Sequence, residues 1–183
     1  MDADSVLNEI EAASKKKFMP IIGPVKGKYL VDTVKKSRAK KVLEIGTLVG
    51  YSAILMARNL PDDGMVDTVE VNPDSAALAQ ENIRKANLTQ KIKVHIGNAL
   101  DVIPTINEEF DMVFIDAAKN EYMDYLRLAE KNLRENGVVF ADNVKIFAGE
   151  MQDYLEYVRD SGKYTSKFVD VGFDGVEIST KLF

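Results

Sequence analysis

From residue 41 onward, short apolar runs alternate with longer stretches in which apolar positions recur every three or four residues. The short runs predict buried strands at Lys41–Ile45, Met65–Val71, Ile92–Ile96, Asp111–Ile115 and Val138–Ala141. The stretches between them predict helices near 51–60, 73–87, 99–106, 120–135 and 148–161. Such alternation builds βαβ units around a largely parallel sheet with helices on both faces. Asn72-Pro73-Asp74 is a helix-start signal, and Asn136-Gly137 reads as the left-handed end of a helix. The pattern then changes: Phe168–Val171 and Val176–Thr180 flank Gly172-Phe173-Asp174-Gly175, which predicts an antiparallel hairpin appended to the parallel sheet.

Before residue 41 there is no strand signal. Val6, Leu7 and Ile10 have the spacing of a short amphipathic helix. Pro20, Gly23, Pro24 and Gly27 interrupt the pattern and predict a loop across the sheet edge, followed by a helix from about Lys26 to Lys36. No repeat or linker divides the 183 residues, so one domain is expected, with 1–40 as a helical and loop segment covering the site and 41–183 as the α/β core.

Composition narrows the chemistry. With no cysteine, disulfides and thiolate metal sites are excluded, and a metal must use oxygen ligands or the single histidine, His95. That composition suits a reducing cytoplasm. Met1-Asp2-Ala3-Asp4-Ser5 lacks a basic region followed by an apolar run, and no stretch approaches the ~20 apolar residues of a membrane span, so neither export nor a membrane is expected. A net charge of −5 argues against a general nucleic-acid binder. The basic runs Lys15–Lys17 and Lys35–Lys41 read as a solvated helix face and a helix end that complements the macrodipole.

Candidate chemistry gathers where strands run out. Asp116-Ala117-Ala118-Lys119 follows one predicted strand and Asp142-Asn143 another; in a parallel sheet both emerge at the carboxyl edge, where open α/β sheets bind ligands. Two carboxylates and an amide oxygen form a hard donor set suited to Mg²⁺, Ca²⁺ or Mn²⁺, with a lysine beside it. Alone, Asp142-Asn143 is an ordinary helix cap and Lys119 a solvated lysine; the combination points to a site. His95, in an alternating strand with no second histidine, reads as structural. Met56, Met112, Met123 and Met151 read as core fillers, and Met19 as a candidate for the pocket lining.

Leu43-Glu44-Ile45-Gly46-Thr47-Leu48-Val49-Gly50-Tyr51-Ser52 is a strand, a glycine turn and a helix start. It lacks the G-x-G-x-x-G spacing of a dinucleotide site. An acidic residue before the first glycine repels pyrophosphate and favours a cation such as a sulfonium or an amino group. Glu70 ends the next strand, where a carboxylate accepts both ribose hydroxyls. Together they suggest an adenosyl ligand without phosphates.

These segments, with Phe114–Tyr122 and Ala141-Asp142-Asn143-Val144, resemble the metal-dependent class I O-methyltransferases that include catechol and caffeoyl-coenzyme A O-methyltransferases. The resemblance covers roughly residues 19–181 and implies a Rossmann-like class I methyltransferase fold, with a seven-stranded, mostly parallel sheet ending in an antiparallel hairpin. It implies that S-adenosylmethionine is held by Ile22, Glu44, Gly46, Ser52, Glu70, Asn98, Ala99 and Asp116. It further implies Asp116, Asp142 and Asn143 as metal ligands and Lys119 as the general base. The implied acceptor is a hydroxylated aromatic small molecule, and the expected assembly a monomer or homodimer. Lys167-Phe168-Val169 is largely apolar where an acidic contact to a second hydroxyl would be sought, and Ala117 and Ala118 are small, so a wider acceptor is expected. Two other functions stay open. One is a tRNA hydroxyuridine methyltransferase, supported locally by Lys35–Lys41; the other is a noncatalytic S-adenosylmethionine-binding module.

Overall fold

A computed structural model describes residues 1–183. Seven strands, β1 (Lys41–Ile45), β2 (Met65–Glu70), β3 (Ile92–Ile96), β4 (Phe110–Ile115), β5 (Leu133–Ala141), β6 (Tyr164–Asp170) and β7 (Gly175–Lys181), form one sheet in the order β3-β2-β1-β4-β5-β7-β6. β1 to β5 are mutually parallel, and β7 runs antiparallel to both β5 and β6. The chain winds outward from β1 through β2 to β3, then returns to lay β4 on the other side of β1. That reversal opens a crevice above the carboxyl ends of β1 and β4.

The helices are α1 (Ala3–Lys16), α2 (Gly23–Ser37), α3 (Tyr51–Ala57), α4 (Pro73–Lys85), α5 (Ala99–Val102), α6 (Tyr122–Glu130) and α7 (Gln152–Asp160). Single 3₁₀ turns occur at Ile103–Thr105 and Lys119–Glu121. Alternate residues of the central strands feed two cores. Val42, Met112, Phe114 and Phe140 meet Val6, Ile10, Leu30, Val34, Ile54 and Met56 on one face. Leu43, Ile45, Val113 and Ile115 meet Tyr122, Leu126, Tyr154 and Val158 on the other. Burial on both faces explains why these strands read as unbroken apolar runs. Each such side chain contributes about 1.5–3 kcal/mol, so Val6, Leu7 and Ile10 anchor α1 and Leu30 and Val34 anchor α2.

Several boundaries differ from expectation. The helix expected over 120–135 stops at Glu130, and Asn136-Gly137 lies inside β5 rather than at a helix end. Phe110 pairs with Leu133 and Met112 with Val138, so residues 134–137 form a bulge, with Asn136 at φ 60°. A left-handed Asn-Gly serves bulges as well as caps, and pattern alone does not separate them. The Asp111 carboxylate fastens the bulge, accepting from Arg134 Nε at 2.5 Å and from the Lys40 and Lys41 amides at 2.7 and 2.8 Å.

α2 begins at Gly23, not near Lys26, because Pro24 occupies the first turn, where its missing N–H removes no helical bond. Gly27 lies within the helix; a Cβ there would approach Leu55 Cδ2 to 2.9 Å, so the residue permits close packing of α2 on α3. The helix expected over 148–161 is shortened to Gln152–Asp160. Met56, Met112, Met123 and Met151 are buried, whereas Met19 packs on the core edge and does not line the pocket. His95 pairs with Asp67 at 2.6 Å between β3 and β2, a structural contact.

Candidate active site

The crevice is a cavity of about 740 Å³. Ile22, Gly46, Ser52, Glu70, Asn98, Ala99, Asp116, Lys119, Asp142 and Asn143 all line it; of the residues singled out from the sequence for this site, Glu44 does not, and neither does Met19. Its floor is the turn after β1. There the backbone takes left-handed conformations at Gly46 (φ 102°), Leu48 (φ 49°) and Gly50 (φ 85°), the last of these opening α3. Leu48 pays a steric cost in that region, a form of strain that concentrates at functional loops. Gly46 has a second reason to lack a side chain: a Cβ there would sit 2.1 Å from the Asp116 carbonyl oxygen.

Glu44 lies behind the wall with no exposed surface. It accepts hydrogen bonds from the Ser52 hydroxyl and, at 2.5 Å, from the Thr68 hydroxyl. Burial lifts its carboxyl to about 8, against those two donors and with help from Asp116 and Glu70. Ser52 therefore stands between Glu44 and the cavity. Glu70, at the end of β2, accepts the Leu48 amide at 2.7 Å and the Asn72 amide at 2.9 Å, which fixes its carboxylate above the turn. Asn98 caps α5 through its Oδ1, accepting the Leu100 amide at 2.9 Å, and Ala99 is buried beside it.

The opposite wall is acidic and lysine-rich. Lys119 Nζ donates to Asp116 Oδ1 at 2.8 Å and to the Tyr122 hydroxyl at 3.0 Å. Tyr122 in turn donates to the Asp142 carbonyl at 3.0 Å, and its ring meets that of Tyr154 edge to face, 5.7 Å apart. Its ring packs in the core, and its hydroxyl also ties Lys119 to the end of β5. Asn143, at φ 63° just past that end, donates Nδ2 to Asp174 Oδ2 at 2.7 Å. The Asn143 Oδ1 is thereby the end of the amide turned away from Asp174.

Two further residues complete this wall, and the sequence reading missed both. Lys26 Nζ, from the first turns of α2, lies 2.5 and 2.7 Å from the two Asp142 oxygens and 2.9 Å from Asp174 Oδ2. Burial opposes the Lys26 charge, but Asp142 and Asp174 outweigh it and hold the group as an ammonium. Burial and the facing Asp116 carboxylate lift Asp142 to about 6, against the pull of Lys26. Lys26 read as a helix start and Asp174 as a hairpin turn residue; neither carries a motif, and only folding brings them together across 148 positions.

Asp116, Asp142 and Asn143 supply hard oxygen donors, and an ammonium already sits against Asp142. The wall therefore fits a cation. No three His, Cys, Asp or Glu side chains cluster closely enough to hold one by themselves, so a cation here would also need a neutral oxygen donor, of which Asn143 Oδ1 is one.

A doubly wound sheet closed by an antiparallel hairpin, with an acidic residue ending β2 above a glycine turn, defines a Rossmann-like methyltransferase fold. The O-methyltransferase from Bacillus cereus, solved in complex with SAH, matches it with a TM-score of 0.88 and 30% identity, over 97% of this chain and 90% of that one. The O-methyltransferase family profile matches residues 1–161, and the chain belongs to that family. The catechol O-methyltransferase of Niastella koreensis is 43% identical over 127 residues, which cover 67% of this chain and 58% of the relative. That of Mus musculus is 39% identical over 171 residues, covering 89% of this chain and 64% of the relative. The matches thus span less than two thirds of the length of these two relatives.

No helix is long and apolar enough to cross a membrane. Within the basic run, Lys40 pairs with Asp63 at 2.7 Å and Lys41 with Glu108 at 2.6 Å, which reduces the positive surface offered to a nucleic acid.

Proposed function

We propose that this chain transfers a methyl group from S-adenosylmethionine to a hydroxyl of a catechol-like or other metal-chelating small molecule, with a divalent cation, Mg²⁺ first among the candidates. The observation that carries this reading is the arrangement of one cavity with a cation-favouring adenosyl wall on one side and Asp116, Lys119, Asp142 and Asn143 on the other. The family membership and the relatives' names support it.

Each residue then has a task. Glu70 receives the ribose hydroxyls, and Asn98 and Ala99 flank the adenine. Gly46 and Ser52 border the cationic end of the cofactor, with Glu44 acting through Ser52 and Ile22 covering the ligand from the N-terminal segment. When bound, the cofactor supplies the methyl group on a sulfonium that loses its charge on transfer. Asp116, Asp142 and Asn143 would hold the divalent cation, which would supply positive charge to lower the pKa of the acceptor hydroxyl, otherwise about 10 for a phenol. Lys119 Nζ, fixed by Asp116 and Tyr122, is placed to take that hydroxyl's proton. Phe147 and Ile146 line the same cavity and exclude water from the acceptor face.

The test is methyl transfer from labelled S-adenosylmethionine to catechols, caffeoyl esters and unmodified bulk tRNA, with Mg²⁺ and with a chelator. Metal-dependent labelling of a small diphenol is expected. Lys119→Ala should lower kcat about a hundredfold or more while cofactor affinity stays within about twofold. Labelling of RNA alone would assign the chain to tRNA modification, and cofactor binding without any transfer would leave a binding module. Equal loss of turnover and cofactor affinity in Lys119→Ala would make the lysine structural.

A further inference from the structure

Asp116 and Asp142 each face an ammonium, but the two ammoniums have different origins. Lys119 lies three residues from Asp116 and travels with it. Lys26 comes from α2, separated from Asp142 by 116 positions, and lies four residues after the cavity-lining Ile22. Its hold on Asp142 is two-pronged, with both carboxylate oxygens within 2.7 Å of one Nζ, so the chelating face of Asp142 is taken. Asp142 and Asp174 expose only 1% and 9% of their side chains, and Lys26 exposes 15% of its own, so solvent does little to screen the contact. A second cation cannot share that face without strong like-charge repulsion.

Asp174 gives Lys26 an alternative. Its Oδ2 already accepts from both Lys26 and Asn143, and its Oδ1 accepts the Gly175 amide at 2.7 Å, which anchors the carboxylate whether or not Asp142 is engaged. We propose that Lys26 is an exchangeable tethered cation: it neutralises Asp142 when no divalent ion is present, yields Asp142 when the ion binds, and is then retained by Asp174. This rests on the metal reading above and adds to it a link from metal loading to the start of α2, and so to the wall that covers the cofactor. Lys26 is thus a positioning residue that sets metal affinity.

Binding of Mn²⁺, followed by loss of its free paramagnetic signal, and of Mg²⁺ by calorimetry, would be measured on the intact chain, Lys26→Met and Lys26→Arg. Lys26→Met is expected to bind either ion at least about tenfold more tightly, since the internal competitor is gone, and Lys26→Arg to stay near the parent. In the parent chain, amide hydrogen exchange over residues 21–30 should quicken on adding Mg²⁺, a readout that stands even if Lys26→Met does not fold. Tight binding by Lys26→Met alone, with the parent binding weakly, would also support the exchange. Unchanged or weaker binding by Lys26→Met, or exchange over 21–30 that is unaltered or slower with Mg²⁺, would overturn it while leaving the metal reading in place. No divalent binding by any of the three would overturn both.

Discussion

Glu44, under the proposed function, would serve a ligand it does not touch. It has no exposed surface, and burial holds its carboxyl near 8 rather than its ordinary 4.5. Above pH 4.5 the unfolded chain releases this proton, while the native chain keeps it until about pH 8. Stability from Glu44 is therefore fully present below 4.5, falls as pH rises towards 8 and is gone above it, by on the order of a few kcal/mol. Urea unfolding at pH 5 and pH 8 should show this loss in the parent chain and not in Glu44→Gln; equal slopes in both would mean that Glu44 is ionised throughout. A cation at Ser52 favours the carboxylate, which is the physical sense of placing an acid there. The sequence shows the acid before the glycine. It does not show that Ser52 and Thr68 cover it, because that depends on how α3 and β2 pack against β1.

The turn after β1 carries the same lesson at the level of elements. Its glycines read as room for a ligand. In the fold, Gly46 makes room first for the chain itself: its amide donates to the Val69 carbonyl at 3.0 Å, the Asp116 amide donates to the Ile45 carbonyl at 2.9 Å, and the missing Cβ lets β1 and β4 end side by side. Gly46→Ala should cost about 3 kcal/mol or more, from a left-handed backbone and a collision with main-chain atoms that cannot rotate away. It should also weaken cofactor binding, because Asp116 must shift. Urea unfolding and calorimetric titration with S-adenosylmethionine would check both, and a stable variant that binds normally would refute the account. The strand and helix periods, the Asn72-Pro73 start and the hairpin were legible because each is a local preference. The β5 bulge was not, because Asn136-Gly137 satisfies two structures equally and only pairing with β4 selects one.

Over the whole molecule, the cavity is assembled from both ends of the chain: Phe18 to Lys26 on one side, the β1, β4 and β5 ends below, and Asn143 to Phe147 beyond. A ligand filling it ties these parts together and binds only the folded state. At a hundredfold excess over Kd, S-adenosylmethionine should stabilise the chain by about 2.7 kcal/mol and raise Tm by roughly 5–10 °C. A scanning calorimeter would detect the shift, and its absence at saturation would mean that the cavity does not bind this cofactor. By itself, the sequence determined the strand-helix alternation, the sheet with its terminal hairpin, the glycine turn and the two acidic segments, because these rest on periodicity and on neighbours within a few positions. Only the tertiary structure decided that Lys26 meets both Asp142 and Asp174, that Tyr122 bridges Lys119 to β5, and that Glu44 stands behind Ser52. Apart from the Lys119–Tyr122 step, those contacts join groups 8 to 148 positions apart, and their energy depends on distance and burial, which no linear pattern encodes.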